Sequence, residues 1–312
     1  MKAIVFTEFG SSVVLKEAEV PTPSAEAGEV LIRITHASVN PVDWKIREGF
    51  LKSMFPHRFP VIPGWDASGV VFAVGEGVTS FQPGDEVFAY ARLPEVHSGT
   101  YAQFIALPTS AVSHKPKTLS PAAAAGVPTV ALTAYQVVHH VAKVRAKERV
   151  LITGGAGGVG SYAIQLVNIL DGITTATTSQ KNSAYVAELG AKHVVDYEQS
   201  SARRELEVAA PGGFDVIIDT VGGDALIEAT QVLKPGGRIV SIVETPKNGT
   251  FHFVYPSAQE LSAIADLFDA GSLRVPETTI RSVREAASAQ DESRTRRVRG
   301  KVVLAIDLDQ AP

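Results

Sequence analysis

Cysteine is absent from all 312 residues. That excludes disulfides, a thiolate nucleophile and every zinc site that draws on cysteine. No apolar run reaches the length of about 18 residues needed to span a bilayer as a helix. The opening "MKAIVFTEFG" carries Glu8 and lacks the apolar core of a secretory leader, so a cytoplasmic location is expected. An excess of positive charge is also missing. Lys and Arg total 29 against 33 acids, a net charge of −4, which gives no basis for binding nucleic acid or an anionic membrane. There is no internal repeat and no low-complexity linker. The basic run "RTRRVRG" is the one strong charge cluster.

What remains is ordinary for a globular protein, with 45% hydrophobic and 20% charged residues, and the length suits two domains better than one. Residues 1 to 117 hold short β-branched runs such as "EVLIRITHASV" and "ASGVVFAVGEGV", punctuated by Pro63-Gly64 and Pro83-Gly84, the pattern of a small antiparallel sheet or barrel. Beyond 118 the rhythm changes. "ERVLITG", "GITTATT", "KHVVDY", "DVIIDTV" and "GRIVSIV" read as apolar strands separated by helices over 158–171, 181–189, 200–210 and 223–234. This alternation specifies βαβ units and a parallel, doubly wound sheet. "SAQELSAIADLFDAG" then reads as an amphipathic helix stopped by Gly271, and "GKVVLAI" as a last strand.

The densest signal is "RVLITGGAGGVGSYAIQL", residues 149–166, with five glycines in seven positions directly after a strand. Gly155, Gly157 and Gly160 make G-x-G-x-x-G, and Val159, Ala163, Leu166, Val167 and Leu170 follow at helical spacing. In a dinucleotide fingerprint the first glycine makes the turn, the second admits the pyrophosphate to the backbone, and the third lets helix pack on strand. Gly155, Gly157, Gly158, Val159 and Gly160 are therefore assigned to the cofactor. Packing alone is the plainer alternative. An NAD-preferring site places a carboxylate roughly 20 residues further on, to bind the ribose 2′-hydroxyl. Here "TTSQKN" offers Ser179 and Lys181 and no acid, a pairing suited to a 2′-phosphate, so NADP(H) is expected. Alternatively, Lys181 simply opens the next helix in solvent.

At this point the chain resembles a known family. "ASVNPVDWKIREG", "PVIPGWDASGVVFAVGEGVTSFQPGDEVFAY", "GTYAQFIALP", "LTAYQVV", "ITGGAGGVG", "DTVGG" and "RGKVVL" stand in the order found in medium-chain dehydrogenase/reductases. The resemblance is to the zinc-independent quinone oxidoreductase branch and its enone-reductase relatives, and it covers nearly the whole length. It implies an α/β fold with a GroES-like catalytic domain from residues 1–117 and 255–312, an inserted Rossmann NADP-binding domain over 118–254, and a cofactor cleft between them. Zinc-dependent members carry Gly-His-Glu where this chain has Gly64-Trp65-Asp66, and a cysteine near Val39-Asn40. A catalytic zinc needs three Cys, His or carboxylate ligands, so no metal is expected. The adjacent His139 and His140 point about 100° apart on a helix and do not converge.

Without zinc, an alkoxide lacks stabilisation, whereas a quinone or enone is already an electrophile for hydride. The protein then has to orient the rings, exclude water and offer a donor to the growing oxyanion. By resemblance, Asn40 and Asp43 match polar positions lining the nicotinamide pocket, and Lys45 matches a cation found in some enone reductases. The alternative is that Asp43 and Lys45 cap and solvate a short helix after Pro41. Trp44, Phe50, Phe55, Phe59, Trp65 and Tyr90 supply flat rings for a quinone slot or for plain core. The resemblance also places Thr133 against the nicotinamide, Tyr197 on the adenosine side, and Val221, Gly222, Ser241 and Ile242 along the ribose. Where many relatives have "GHxxGK", this chain has "RTRRVRGK". Arg296 or Arg297 then either reaches the 2′-phosphate or solvates a loop. The segment "VETPKNGTFHFVYP" is expected to supply an edge strand for a homodimer. Two functions stay open: an NADPH-dependent quinone or enone oxidoreductase acting on a small molecule, and an NADPH-binding sensor or structural protein with little catalysis.

Overall fold

The computed structural model describes residues 1–295 and 298–308; Arg296 and Arg297 lie outside the described residues. The chain divides into two units. The first comprises Met1–Thr129, Tyr255–Asp269 and the stretch from Glu277 onward, and the second Val130–Val254 with Ala270–Pro276.

The first unit is built on the long strand Glu29–Val39, which alternates Val30, Ile32 and Ile34 into one face. Side chains two apart on a strand share a face, so this strand delivers three β-branched residues to a core shared with Val71, Val87, Ile105 and Leu107. Burying each such side chain contributes about 1.5–3 kcal/mol. Among the described residues the sheet has seven strands. Glu29–Val39 pairs antiparallel with Asp66–Val74 on one side and with Lys301–Ala305 on the other. Two registers matter for the site: Ser38 lies opposite Asp66, and Val302 lies opposite Val39. Residues 118–129 stay with this unit, whereas the sequence had placed them in the second domain. The reason is packing: Ala122 and Ala125 of the helix Pro121–Ala125 close a small apolar cluster with Val303.

The second unit is a six-stranded sheet in which every pairing is parallel. Its order is His193–Asp196, Ile173–Thr178, Arg149–Ile152, Phe214–Asp219, Leu233–Ser241 and Thr250–Phe251. In chain order that is third, second, first, fourth, fifth, sixth. Such an order reverses beside the first strand, and ligands of doubly wound sheets bind past the carboxyl ends at that switch point. Helices Gly158–Ile169, Ser183–Glu188, Ala202–Ala209 and Gly223–Thr230 alternate with the strands. The expected helix over 181–189 begins instead with a tight turn at Gln180–Asn182. Ala270–Pro276 joins this unit because the Gln165 side chain clamps the backbone of Arg274, donating to its carbonyl at 3.1 Å and accepting its N–H at 2.8 Å. The two-residue strand Thr250–Phe251 forms one sheet edge.

Candidate active site

In the second unit the strand Arg149–Ile152 runs into Thr153 and the glycine turn. Gly154 adopts φ +68°, which an L side chain rarely accepts, and a Cβ on Gly160 would stand 2.3 Å from the Gly154 carbonyl oxygen. The helix therefore starts closer to the strand than any side chain permits. Gly155 and Gly160 are buried, while Gly157, Gly158 and Val159 are half-buried. No side chain caps the N-terminus of Gly158–Ile169. Its amide groups and positive dipole end are left for an anion. A cradle closed to side chains and lined by backbone N–H groups fits a pyrophosphate.

Past the neighbouring strand ends the structure shows a residue that the sequence did not single out. Asp219 is fully buried and accepts from Thr153 Oγ1 at 2.7 Å, Ser241 Oγ at 2.7 Å, and the backbone N–H groups of Val221 and Gly222. One carboxylate thus ties the carboxyl ends of three parallel strands into a single surface beside the glycine turn. Ser241, expected along the ribose, turns its hydroxyl inward to Asp219 and is itself fully buried. Ile242 is half-buried, with its N–H on the Asp219 carbonyl at 3.1 Å. Ser179 is half-buried, Lys181 is exposed, and Tyr197 is 58% exposed with its N–H on the Thr178 carbonyl. Thr133 is buried on the helix Pro128–Gln136.

The first unit holds the second cluster. Asn40 caps the helix Pro41–Arg47, with Pro41 at the position that lacks a use for its N–H. Asp43, in the first turn of that helix, accepts the Asn40 N–H at 2.8 Å and the Tyr101 hydroxyl at 3.0 Å, both on Oδ2. Its Oδ1 is buried with no hydrogen-bond partner among the described residues. Complete burial pushes the Asp43 carboxyl up to about 7. The neighbouring Asp66 adds to the rise, while the two hydrogen bonds and the Lys301 ammonium oppose it. The Asn40 carboxamide faces elsewhere: Nδ2 donates to Asp66 Oδ2 at 2.8 Å and Oδ1 accepts from Lys301 Nζ at 2.6 Å. Asp66 also accepts from Ser38 Oγ, Thr129 N and Thr129 Oγ1 at 2.6–2.7 Å. Asn40 and Asp43, expected to face a nicotinamide, are 1% and 0% exposed and engaged inside this network. Asp43 takes the capping role that the alternative reading gave it. Lys45 is half-buried, its ammonium 5.8 Å from the centre of the Trp44 ring. Of the six aromatics, Trp44, Trp65 and Tyr90 are core, the last two stacked edge-on in a ladder Phe55–Trp65–Tyr90, whereas Phe50 and Phe59 are exposed.

Comparison with known proteins places both units in one family. Residues 26–117 match the family described as alcohol dehydrogenase GroES-like domain, and residues 189–304 match zinc-binding dehydrogenase. The chain is 30% identical to the mitochondrial NAD(P)H oxidoreductase of Danio rerio over 99% of this chain and 92% of that protein. The match to its Homo sapiens counterpart spans 65% of that longer protein. The chain is 35% identical to the 2-methylene-furan-3-one reductase of Solanum lycopersicum over 84% of this chain and 67% of that one. The solved quinone oxidoreductase from Coxiella burnetii superposes with a TM-score of 0.87 at 33% identity, covering 98% and 99% of the two chains. The chain belongs to the medium-chain dehydrogenase/reductase family. It is an oxidoreductase of that family, with a GroES-like unit and a Rossmann-like unit, and the glycine turn fits the family's nicotinamide dinucleotide. The expected cytoplasmic location does not stand, because matched family members are mitochondrial by name.

Part of this dehydrogenase family uses zinc, which calls on a converging set of Cys, His or carboxylate donors. By the resemblance, Trp65 stands where zinc-dependent members carry a histidine, and its buried ring lies edge-on to Tyr90. The Lys301 ammonium lies 3.8 Å from Asp66, a positive charge where a cation would need to approach. Among the described residues no group of three His, Cys, Asp or Glu side chains converges on a common point.

Proposed function

We propose that the chain transfers hydride from NADPH to a quinone or an α,β-unsaturated carbonyl without a zinc ion. The observation that carries this reading is the occupation of the metal-ligand positions by the Trp65 ring and the Asp66–Lys301 ion pair. That arrangement leaves no Lewis acid for an alkoxide but suits an acceptor that is already electrophilic. A bound nicotinamide supplies the hydride.

The chain's own residues then divide the work. Gly155, Gly157, Gly158, Val159 and Gly160 hold the pyrophosphate against backbone N–H groups. Ser179 and Lys181 select the 2′-phosphate, since a hydroxyl and an ammonium stand where NAD-specific sites put an acid. Tyr197 offers its exposed ring to the adenosine side, and Val221, Gly222 and Ile242 shape the ribose edge on the loops that Asp219 and Ser241 fix. Thr133 faces the nicotinamide. Lys45 is the donor to the developing oxyanion. Asn40 and Asp43 set the helix start that carries it. Two copies pair through the Thr250–Phe251 edge.

A second reading, an NADPH-binding sensor with little catalysis, is favoured by one observation: the Asn40 and Asp43 side chains turn inward rather than outward. NADPH oxidation by a panel of quinones and alkenals separates the two. The enzyme reading expects turnover, with KM about tenfold or more lower for NADPH than for NADH. Tight NADPH binding with no oxidation across the panel overturns it in favour of the sensor.

A further inference from the structure

Lys301 is the only lysine buried to this degree among the described residues, at 4% exposure. A buried ammonium costs several kcal/mol unless it is paired and hydrogen-bonded, so its place has to be set by specific partners. Strand register delivers it. With Val302 opposite Val39, Lys301 lies at the strand end beside Asn40. Its stem runs over Gly126, where a Cβ would sit 3.6 Å from Lys301 Cβ. The ammonium then donates to the Val39 carbonyl at 3.1 Å and to Asn40 Oδ1 at 2.6 Å, with Asp66 Oδ2 at 3.8 Å.

The chemistry of these partners settles which way the Asn40 carboxamide faces. An ammonium only donates, so the atom it meets is Oδ1; a carboxylate only accepts, so the atom Asp66 meets is Nδ2. A flip would set donor against donor on one side and acceptor against acceptor on the other. Two carboxyls, Asp43 and Asp66, share this single ammonium. The groups facing Asp43 from the surrounding elements are the Asn40 N–H, the Tyr101 hydroxyl, Asp66, Lys301 and, from the strand Glu86–Tyr90, Tyr90.

We propose that Lys301 is a positioning residue for hydride transfer: with Asp66 it locks the Asn40 carboxamide in one orientation, and so holds the start of the helix that bears Lys45. This rests on the oxidoreductase reading for its effect on turnover, but not for its effect on Asp43.

The test has two arms. In the first, the Asp43 side-chain carbon is followed by NMR across its titration in the parent and in Lys301→Met, Lys301→Arg and Asp66→Asn. Removing the ammonium shifts the Asp43 midpoint upward from about 7, removing the Asp66 charge shifts it downward, and Lys301→Arg leaves it near the parent. Shifts of the same sign in both variants, or none, overturn the proposal. If Lys301→Met does not fold, a downward shift in Asp66→Asn beside an unchanged midpoint in Lys301→Arg still decides it, and any other pair of outcomes overturns it.

The second arm is kcat. Lys301→Met loses on the order of 100-fold with the KM for NADPH unchanged, and Lys301→Arg restores most of the loss. Correct titration shifts with unaltered kcat overturn the positioning role and leave Lys301 a structural ion pair. If the parent itself oxidises no NADPH with any acceptor, the functional reading fails, and the titration still decides the charge coupling.

Discussion

Each unit of this chain holds a fully buried aspartate at a strand end, Asp66 in the first and Asp219 in the second, and the two are satisfied in different ways. Asp219 in the second unit takes two hydroxyls and the N–H groups of Val221 and Gly222, all neutral donors. Asp66 in the first unit takes hydroxyls, a carboxamide and one N–H, and it also has the Lys301 ammonium nearby. The difference follows from where each sits. Asp219 ends a parallel strand just before the helix Gly223–Thr230, where backbone N–H groups have no partner in the ladder and the helix dipole adds positive potential. Asp66 opens a strand paired on both sides, with Ser38 and with Tyr90, so neighbouring backbone donors are committed to the sheet. Side chains from distant segments, including a charged one, supply what the backbone cannot.

The contrast makes Asp66→Asn the most damaging isosteric change. It strands a buried ammonium and should cost about 3–5 kcal/mol in urea unfolding. Adding Lys301→Met to it should recover a substantial part, whereas Lys301→Met on an Asp219 variant should simply add to the loss.

Asp43 shows a carboxyl left without a counter-charge of its own. Its folded value of about 7 lies above the ordinary range near 4, so between those values the folded state holds a proton that the unfolded state has released. Stability therefore falls as pH rises through that window, by on the order of 4 kcal/mol, and the loss is complete above it. In Asp43→Asn that slope should vanish. The variant should gain on the parent between pH 5 and 8 when unfolding free energies are compared at about those two values. A parent curve that rises with pH through this window would contradict the assignment.

Asp219→Asn strands no charge but turns a donor toward donors that have little room to rotate. A loss of about 2 kcal/mol is expected, with weaker NADPH binding by calorimetry because the loops it ties face the glycine turn. The smallest effect should be on chemistry alone: Lys45→Ala should lower enone turnover about tenfold and leave NADPH affinity unchanged. Unchanged turnover would remove Lys45 from the site.

Much of the fold was legible because local signals carried it. Alternation of apolar strands and helices gave the parallel sheet, and five glycines after a strand gave the turn that Gly154 and Gly160 make by close approach. The buried networks were not legible in the same way. Lys301 and Asn40 are 261 residues apart, and nothing short of the register of three strands brings them together. Asp219 stood in "DTVGG", noticed for its order along the chain and not for its carboxylate. Asn40 and Asp43 stood out by resemblance, as polar positions lining a nicotinamide pocket. Residue type could not show that both turn inward, since that depends on Tyr101, Asp66 and Lys301 arriving from elsewhere. Gly64-Trp65-Asp66, standing where zinc-dependent members carry Gly-His-Glu, was legible as a departure from that motif. It could not show that a lysine stands beside the carboxylate.

The central claim is hydride transfer from NADPH to a conjugated carbonyl with no metal taking part, and the direct measurement is NADPH oxidation by a quinone before and after exhaustive chelation, with bound metal determined on the same sample. The account predicts stoichiometric NADPH consumption, far less than one metal ion per chain, and a rate that chelation leaves unchanged. Activity that disappears on chelation and returns with zinc would contradict it.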